Sequence, residues 1–237
     1  MKLSLVIPAH NEERYIGLCL DSIQEFALHR CHEIIVIDNA STDRTAEVAR
    51  SRPWVRVVHE EHKGLTHARH RGLQEATGDL IAYIDADTRL SGKWLNIVDL
   101  VFKSLPNVVC LSGCYRYYDG SQVQRALLNA IWWISAPLAY RFVRCMVLGG
   151  NFVARTSALR AIGGFDRSIH FYGEDTDIAR RLHGCGMVLF RMDFYVHTSM
   201  RRFLAEGFTP TLARYALNFL WPALVHRPFS STYRDIR

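Results

Sequence analysis

The sequence predicts an α/β protein built on a mostly parallel sheet with helices on both faces. Three observations carry this. Short runs dense in Val, Ile and Leu alternate with longer stretches whose apolar residues recur at helical spacing, giving β-α-β-α-β-α-β within the first 85 residues. The strand runs are near-continuously apolar rather than alternating, as expected of strands buried on both faces. The chain has 237 residues, 49% of them hydrophobic and 22% charged, enough for one large domain or for a core plus small appendages.

The elements follow in order. "LSLVI" at 3–7 is a β-rich run, and Pro8 is expected to stop it by removing a ladder donor. The loop "AHNEE" comes next. From Arg14 to Leu28 the residues Ile16, Leu18, Cys19, Leu20, Ile23 and Phe26 recur at roughly helical spacing, so a helix crosses back to the second strand, "EIIVID". Ser41, Thr42 and Asp43 are all good N-cap types and introduce a helix to about Arg50. "VRVVH" reads as the third strand, "GLTHARHRGLQEA" as a helix and "DLIAYID" as the fourth strand. Right-handed crossovers put all the strand C-termini on one edge, where open α/β sheets bind ligands. The loops "PAHNEE", "DNASTD" and "DADT" therefore converge on one rim.

Beyond this half, residues 92–105 predict a helix and "VVCLSGCYRY" a strand. Residues 126–148 are strongly apolar, but Asn129, Pro137, Arg141 and Arg144 interrupt them. That makes a poor spanning helix, because a bilayer crossing needs about 20 predominantly apolar residues. Two readings stay open: a buried or half-buried helix pair, or a membrane-surface element anchored by Trp132 and Trp133. "LARYALNFLWPALVHRPF" at 212–229 poses the same choice.

A net charge of +6 suits an anionic partner such as a phosphorylated small molecule or an acidic membrane surface. The basic residues are dispersed and no recognition motif is present, which argues against nucleic acid. The six cysteines, at 19, 31, 110, 114, 145 and 185, show neither paired zinc spacing nor the density of a disulfide scaffold, so a reducing compartment is expected. "MKLSLVIPAHNEE" lacks the features of a signal peptide. The expected location is the cytoplasm, with the two apolar segments open to contact with the inner face of the membrane.

Chemistry concentrates in two acidic clusters. The apolar run Ile81–Ile84 leads directly into Asp85, Ala86 and Asp87, and burying two like charges there costs several kcal/mol unless something positive sits beside them. In a strand extension residues two apart point the same way, so both carboxylates are expected at one side of the rim. Mg²⁺ or Mn²⁺ takes one or two carboxylates and leaves its other positions to water and phosphate oxygens, which fits a diphosphate ligand. Asp38, ending the second strand, is placed to accept from a nucleobase N–H or a ribose hydroxyl, or else to cap the following helix. Glu174 and Asp175, in "FYGEDTDIARRL", precede a helix in which they are either N-terminal helix charges or functional acids. Gly149 and Gly150 allow close backbone approach or form a tight turn. Arg201 and Arg202 read equally as anion contacts or as a solvated basic face.

The motifs "LSLVIPAHNEE", "IIVIDNASTDRT", "GLTHARHRGL", "GDLIAYIDADT" and "GGNFVARTSALRAIGGFDRSIHFYGEDTDIARRLHGCG" occur in the order seen in glycosyltransferase family 2. The sequence resembles that family from about Leu3 to Met187. The resemblance implies the GT-A fold and an inverting transfer from a UDP- or GDP-sugar to a saccharide or lipid-linked acceptor. It implies that Pro8, Ala9, His10 and Glu12 line the nucleoside pocket, that Asp38 contacts the base, and that Arg69 approaches the nucleotide. The Asp85-Ala86-Asp87 segment matches the family's metal motif, with Asp87 the direct ligand and His197 a further metal-binding position. Asp175 matches the general base, and Glu174 would orient the acceptor or support the loop. His10 and His70 depart from the usual tyrosine and asparagine without removing a required charge. In this reading residues 1–110 form the nucleotide-sugar half, 111–200 the acceptor and catalytic half of the same domain, and 201–237 a helical tail open to membrane association. Rival readings are a sugar-1-phosphate nucleotidyltransferase, which would need a glycine-rich basic loop that "PAHNEER" lacks, and a non-catalytic nucleotide-sugar-binding relative.

Overall fold

Strand β1 (Leu3–Ala9) is buried at every position and pairs in parallel with β2 (Glu33–Asn39) on one side and β4 (Leu80–Ile84) on the other. The computed structural model describes residues 1–169 and 173–225. Adding β3 (Arg56–Glu60), β5 (Val108–Tyr117), β6 (Asn151–Arg155) and β7 (Met187–Thr198) gives a 7-stranded sheet in the order β3-β2-β1-β4-β6-β5-β7. Only β6 runs against its neighbours. Its reversal sets its first residue, Asn151, beside Ile84 at the end of β4. The C-terminal ends of β1, β2, β4, β5 and β7 and the start of β6 therefore share one rim.

Residue alternation along the strands splits the core into two layers. Leu5, Ile7, Val36, Ala82 and Ile84 face helices α1 (Ile16–Phe26) and α4 (Trp94–Ser104), where Ile16, Leu20, Ile23, Trp94 and Val101 close the layer. Val6, Ile35, Ile37, Ile81 and Tyr83 face the opposite way, onto α3 (Leu65–Glu75), α6 (Thr156–Ala161) and α7 (Glu174–His183), which supply Ala68, Leu73, Leu159, Ile178 and Leu182. The short α2 (Thr45–Arg50) follows β2. After β7 come α8 (Arg201–Glu206) and α9 (Phe208–Val225). Asn151 knits the rim from within: its amide donates to the Phe194 carbonyl (3.0 Å) and accepts from the Trp94 indole (2.9 Å).

Three expectations are corrected. Pro8 does not end β1 but lies inside it, because the pairing with β4 has already stopped at Val6 and Tyr83. Residues 126–148 hold no helix pair. One helix, α5 (Gln122–Val143), opens on a capping box at Ser121 and Gln124, passes through Pro137 and ends where Arg144 turns left-handed (φ 54°). The third strand lies one residue further on than read, at Arg56–Glu60. Of the 212–229 segment, the residues past 225 lie outside the described residues.

Candidate active site

The segment Asp85-Ala86-Asp87-Thr88 is a tight turn, closed by the Thr88 N–H on the Asp85 carbonyl (3.0 Å), and not an extension of β4. The expectation that both carboxylates point to one side is therefore replaced. A turn splays side chains that a strand would align, and the two aspartates meet different arginines. Asp85 pairs with Arg69 from α3 (3.3 Å), while Asp87 pairs with Arg201 from α8 (3.0 Å). Ala86 between them is 3% exposed and sits in the core layer, so it anchors the turn rather than lining a pocket. The positive partners expected beside the two aspartates are these guanidiniums.

Each arginine has a second acid. Arg69, 1% exposed, donates to Glu174 at the start of α7 as well as to Asp85, and so ties the two acidic clusters together. Arg201 holds Glu12 through both carboxylate oxygens, one contact at 2.8 Å, and its guanidinium lies 4.7 Å from the Tyr15 ring centre. Five carboxylates, Glu12, Asp85, Asp87, Glu174 and Asp175, gather around these two guanidiniums.

Burial governs the titration at the GED end. Glu174 is 6% exposed, and desolvation pushes its carboxyl up to about 7 despite the attraction of Arg69, with the neighbouring Asp175 adding to the rise. Its Oε2 has no hydrogen-bond partner among the described residues. Asp175 is half-buried and is raised as well, first by burial, against the lowering pull of Arg69 and of the Thr176 N–H that donates to its Oδ1 (2.8 Å). Both acids are thus held closer to neutrality than an exposed carboxylate. Residues 170–172, which precede this pair in the sequence, lie outside the described residues.

The glycines are needed for close approach, as the sequence allowed, but what approaches is the ion-pair network. A Cβ on Gly149 would lie 2.6 Å from both Arg69 Nη1 and Glu174 Oε1, and one on Gly150 would lie 2.2 Å from Asp85 Oδ2. The Gly150 N–H donates to the Tyr115 hydroxyl (2.9 Å), whose ionisation burial and Asp85 both oppose.

The nucleoside-pocket candidates sit at the ends of β1 and β2. Pro8 and Ala9 are buried within β1, with Ala9 opposite Asp38. His10 Nδ1 contacts the Asn39 carbonyl (2.7 Å), and the Glu12 N–H donates to Thr45 Oγ1 (2.7 Å). Asp38 is 5% exposed. It accepts from the Ser41 N–H (3.3 Å) and lies 3.2 Å from His59 Nδ1; α2 begins only at Thr45, so Asp38 closes a loop turn and does not cap that helix.

His197 is not brought to the acids. Strand alternation turns its ring away from the side on which its neighbour Thr198 reaches Asp87 Oδ1 (3.4 Å). The ring stands edge-on to Tyr195, and burial, Arg116 and Arg89 all lower its pKa. Among the described residues no three His, Cys, Asp or Glu side chains form a metal-holding group. The donor set still fits Mg²⁺ or Mn²⁺. Asp85 keeps 40% of its side chain exposed, and such ions complete their shell with phosphate and water. The sequence reading left Arg201 ambiguous and missed Tyr115 and Thr198. The available signal was position: all three lie at or just past the ends of β5 and β7, on the same rim.

A profile described as glycosyl transferase family 2 matches residues 4–163, well over half of the chain. The chain belongs to glycosyltransferase family 2. A second profile, described as the N-terminal domain of galactosyltransferase, matches residues 134–203. Among curated relatives, an uncharacterised glycosyltransferase YibD of Escherichia coli is 37% identical over 90 residues, 36% of this chain and 26% of that protein. The dolichol-phosphate mannosyltransferase of Pyrococcus furiosus is 30% identical over 128 residues, 52% of this chain and 36% of that protein. The matched regions thus span only about a quarter to a third of these relatives' own lengths. In fold, the family 2 chain resembles the mannosyltransferase PcManGT of Pyrobaculum calidifontis, solved with GDP-Man and Mn²⁺, at a TM-score of 0.72 and 20% identity over 94% of this chain and 64% of that one. It also resembles the glucosyl-3-phosphoglycerate synthase of Mycobacterium tuberculosis, solved with Mn²⁺, UDP and phosphoglyceric acid, at 0.65 and 20% over 94% and 79%. The α/β architecture is that of the GT-A glycosyltransferases.

Proposed function

We propose that this chain is an inverting glycosyltransferase that moves one sugar from a UDP- or GDP-sugar to an acceptor hydroxyl. The observation that carries the proposal is the Arg69 bridge, which sets the GED acids beside the Asp85 turn. The neighbours solved with GDP-Man, UDP-GlcNAc and UDP-Glc support the donor class. Asp38 and the end of β1 would take the nucleoside, and Asp85 and Asp87 would hold Mg²⁺ or Mn²⁺. When bound, such an ion neutralises charge on a leaving diphosphate.

Asp175 is the proposed general base. It accepts the acceptor hydroxyl proton while that oxygen bonds to the anomeric carbon, and the bond from that carbon to the diphosphate oxygen breaks with its electron pair leaving on the nucleotide. Its raised pKa suits this role, since a base gains proton affinity as its value approaches the working pH. Glu174, held by Arg69, fixes the start of α7 and so aims Asp175. Purified protein with Mn²⁺ and candidate donors should release nucleoside diphosphate when an acceptor is supplied. Asp175→Asn should lower kcat by about 10²- to 10⁴-fold while donor affinity measured by calorimetry stays close to wild type. An Asp175→Asn enzyme with undiminished turnover would remove the base.

A further inference from the structure

Helix α5 presents an unusual outer face. Val123, Leu127, Ile134 and Leu138 fall at positions i, i+4, i+11 and i+15, one stripe of the helix, and are 77%, 49%, 73% and 55% exposed. Trp133 (63%) and Phe142 (78%) flank the stripe. The opposite side is used: Leu128 and Ala136 are buried in small clusters with Tyr117, Phe203, Met146 and Phe190. The helix is thus fastened to the domain by one face and offers water a continuous apolar strip of the kind that marks an interaction surface.

Charge selects the partner. No Asp or Glu occurs between Asp119 and Asp166, while Arg141 near the end of the helix and Arg144 just past it are exposed. A second copy docked face to face would bury these arginines with no carboxylate on the same surface to answer them. An anionic bilayer answers them, with the arginine stems lying along the apolar face and their heads at the phosphates. No helix among the described residues is long and apolar enough to cross a membrane, so the contact lies in the interface plane.

We propose that the outer face of α5 docks this protein on the surface of an anionic lipid bilayer. The inner edge of the same helix reaches the candidate site. Trp132 stands edge-on to Tyr115 (6.3 Å between ring centres), and the Tyr115 hydroxyl holds the Gly150 amide against Asp85. Docking would therefore set the rim at the lipid headgroups, and the acceptor hydroxyl would be carried by a membrane lipid. This last clause rests on the transfer reading; the docking surface does not.

The test is co-sedimentation of the full chain with phosphatidylcholine vesicles, with and without phosphatidylglycerol. Wild type should pellet with the anionic vesicles, less with the neutral ones, and less again at high salt. The double variant Ile134→Glu and Leu138→Glu should lose binding by about tenfold or more for each side chain, since burying one such side chain is worth at least that factor. Its melting temperature and donor affinity should match wild type, which separates docking from folding and from the transfer chemistry. Wild type that stays in the supernatant with both vesicle types overturns the proposal, as does a double variant that pellets equally well. A wild-type dimer that the variant dissolves, without vesicle binding, assigns the face to a second copy and also overturns it.

Discussion

Replacing Arg69 with methionine removes the guanidinium that joins the two acidic clusters while keeping much of its buried stem. Arg69 is 1% exposed and Glu174 6%, so the variant leaves a carboxylate desolvated with its ion-pair partner gone. Breaking one side of a buried ion pair costs about 3–5 kcal/mol. Protonation limits that cost. Burial already raises Glu174 to about 7, and without Arg69 it rises further, so near pH 6 the variant carries a neutral acid and loses mainly hydrogen bonds, about 1.5–3 kcal/mol. The wild-type slope has the matching sign. Because the folded value lies above the 4.5 of an ordinary glutamate, the contribution of Glu174 is full below that value and is lost as pH rises through about 7. Urea unfolding at about pH 6 and pH 8 should show Arg69→Met destabilised at both, more at the higher pH. Adding Glu174→Gln should recover most of the loss at the higher pH, since no buried charge then remains. An Arg69→Met protein with the wild-type midpoint at both pH values, or a double variant no more stable than the single one, would refute this account.

Gly150→Ala should weaken donor binding by about tenfold or more with little change in melting temperature, because its Cβ would fall 2.2 Å from Asp85 Oδ2 and push a half-exposed carboxylate off its position; calorimetry with a UDP- or GDP-sugar and Mn²⁺ reads the effect. Gly113→Ala should instead act on the fold, by about 3 kcal/mol, since its Cβ would meet the Phe194 carbonyl at 1.7 Å where β5 and β7 pair; thermal unfolding measures it. Arg201→Gln should lower stability by about 1.5–3 kcal/mol through the lost charged hydrogen bonds to Glu12, and Mn²⁺ alone, followed by its paramagnetic resonance signal, should bind more tightly once the guanidinium beside Asp87 is gone.

Legibility differed between the two halves of the chain. In the first 85 residues all four strands and the three α-helices between them were readable, because β1, β2 and β4 are buried on both faces and their composition records that directly, while the edge strand β3 was read one residue early. β6 was not readable as a reversed strand, since direction leaves no compositional trace. Of the two readings left open for residues 126–148, the helix pair is replaced by one continuous helix in which Pro137 lies on the exposed side. At the site, the acids were found by type and position and their partners were not. Arg69 is 105 residues from Glu174, and Arg201 is 189 from Glu12, so no local spacing could announce either pair.

What the sequence determined by itself was the existence of a parallel sheet, the rim on which its polar loops meet, and the acids those loops carry, all consequences of local periodicity and strand-end position. What only the tertiary structure decided was which cation faces which acid, which way His197 turns, and that Gly149 and Gly150 pack against charged groups. Those outcomes depend on contacts between residues far apart in the chain, and it is the packing of the helices onto the sheet that brings them within hydrogen-bonding range.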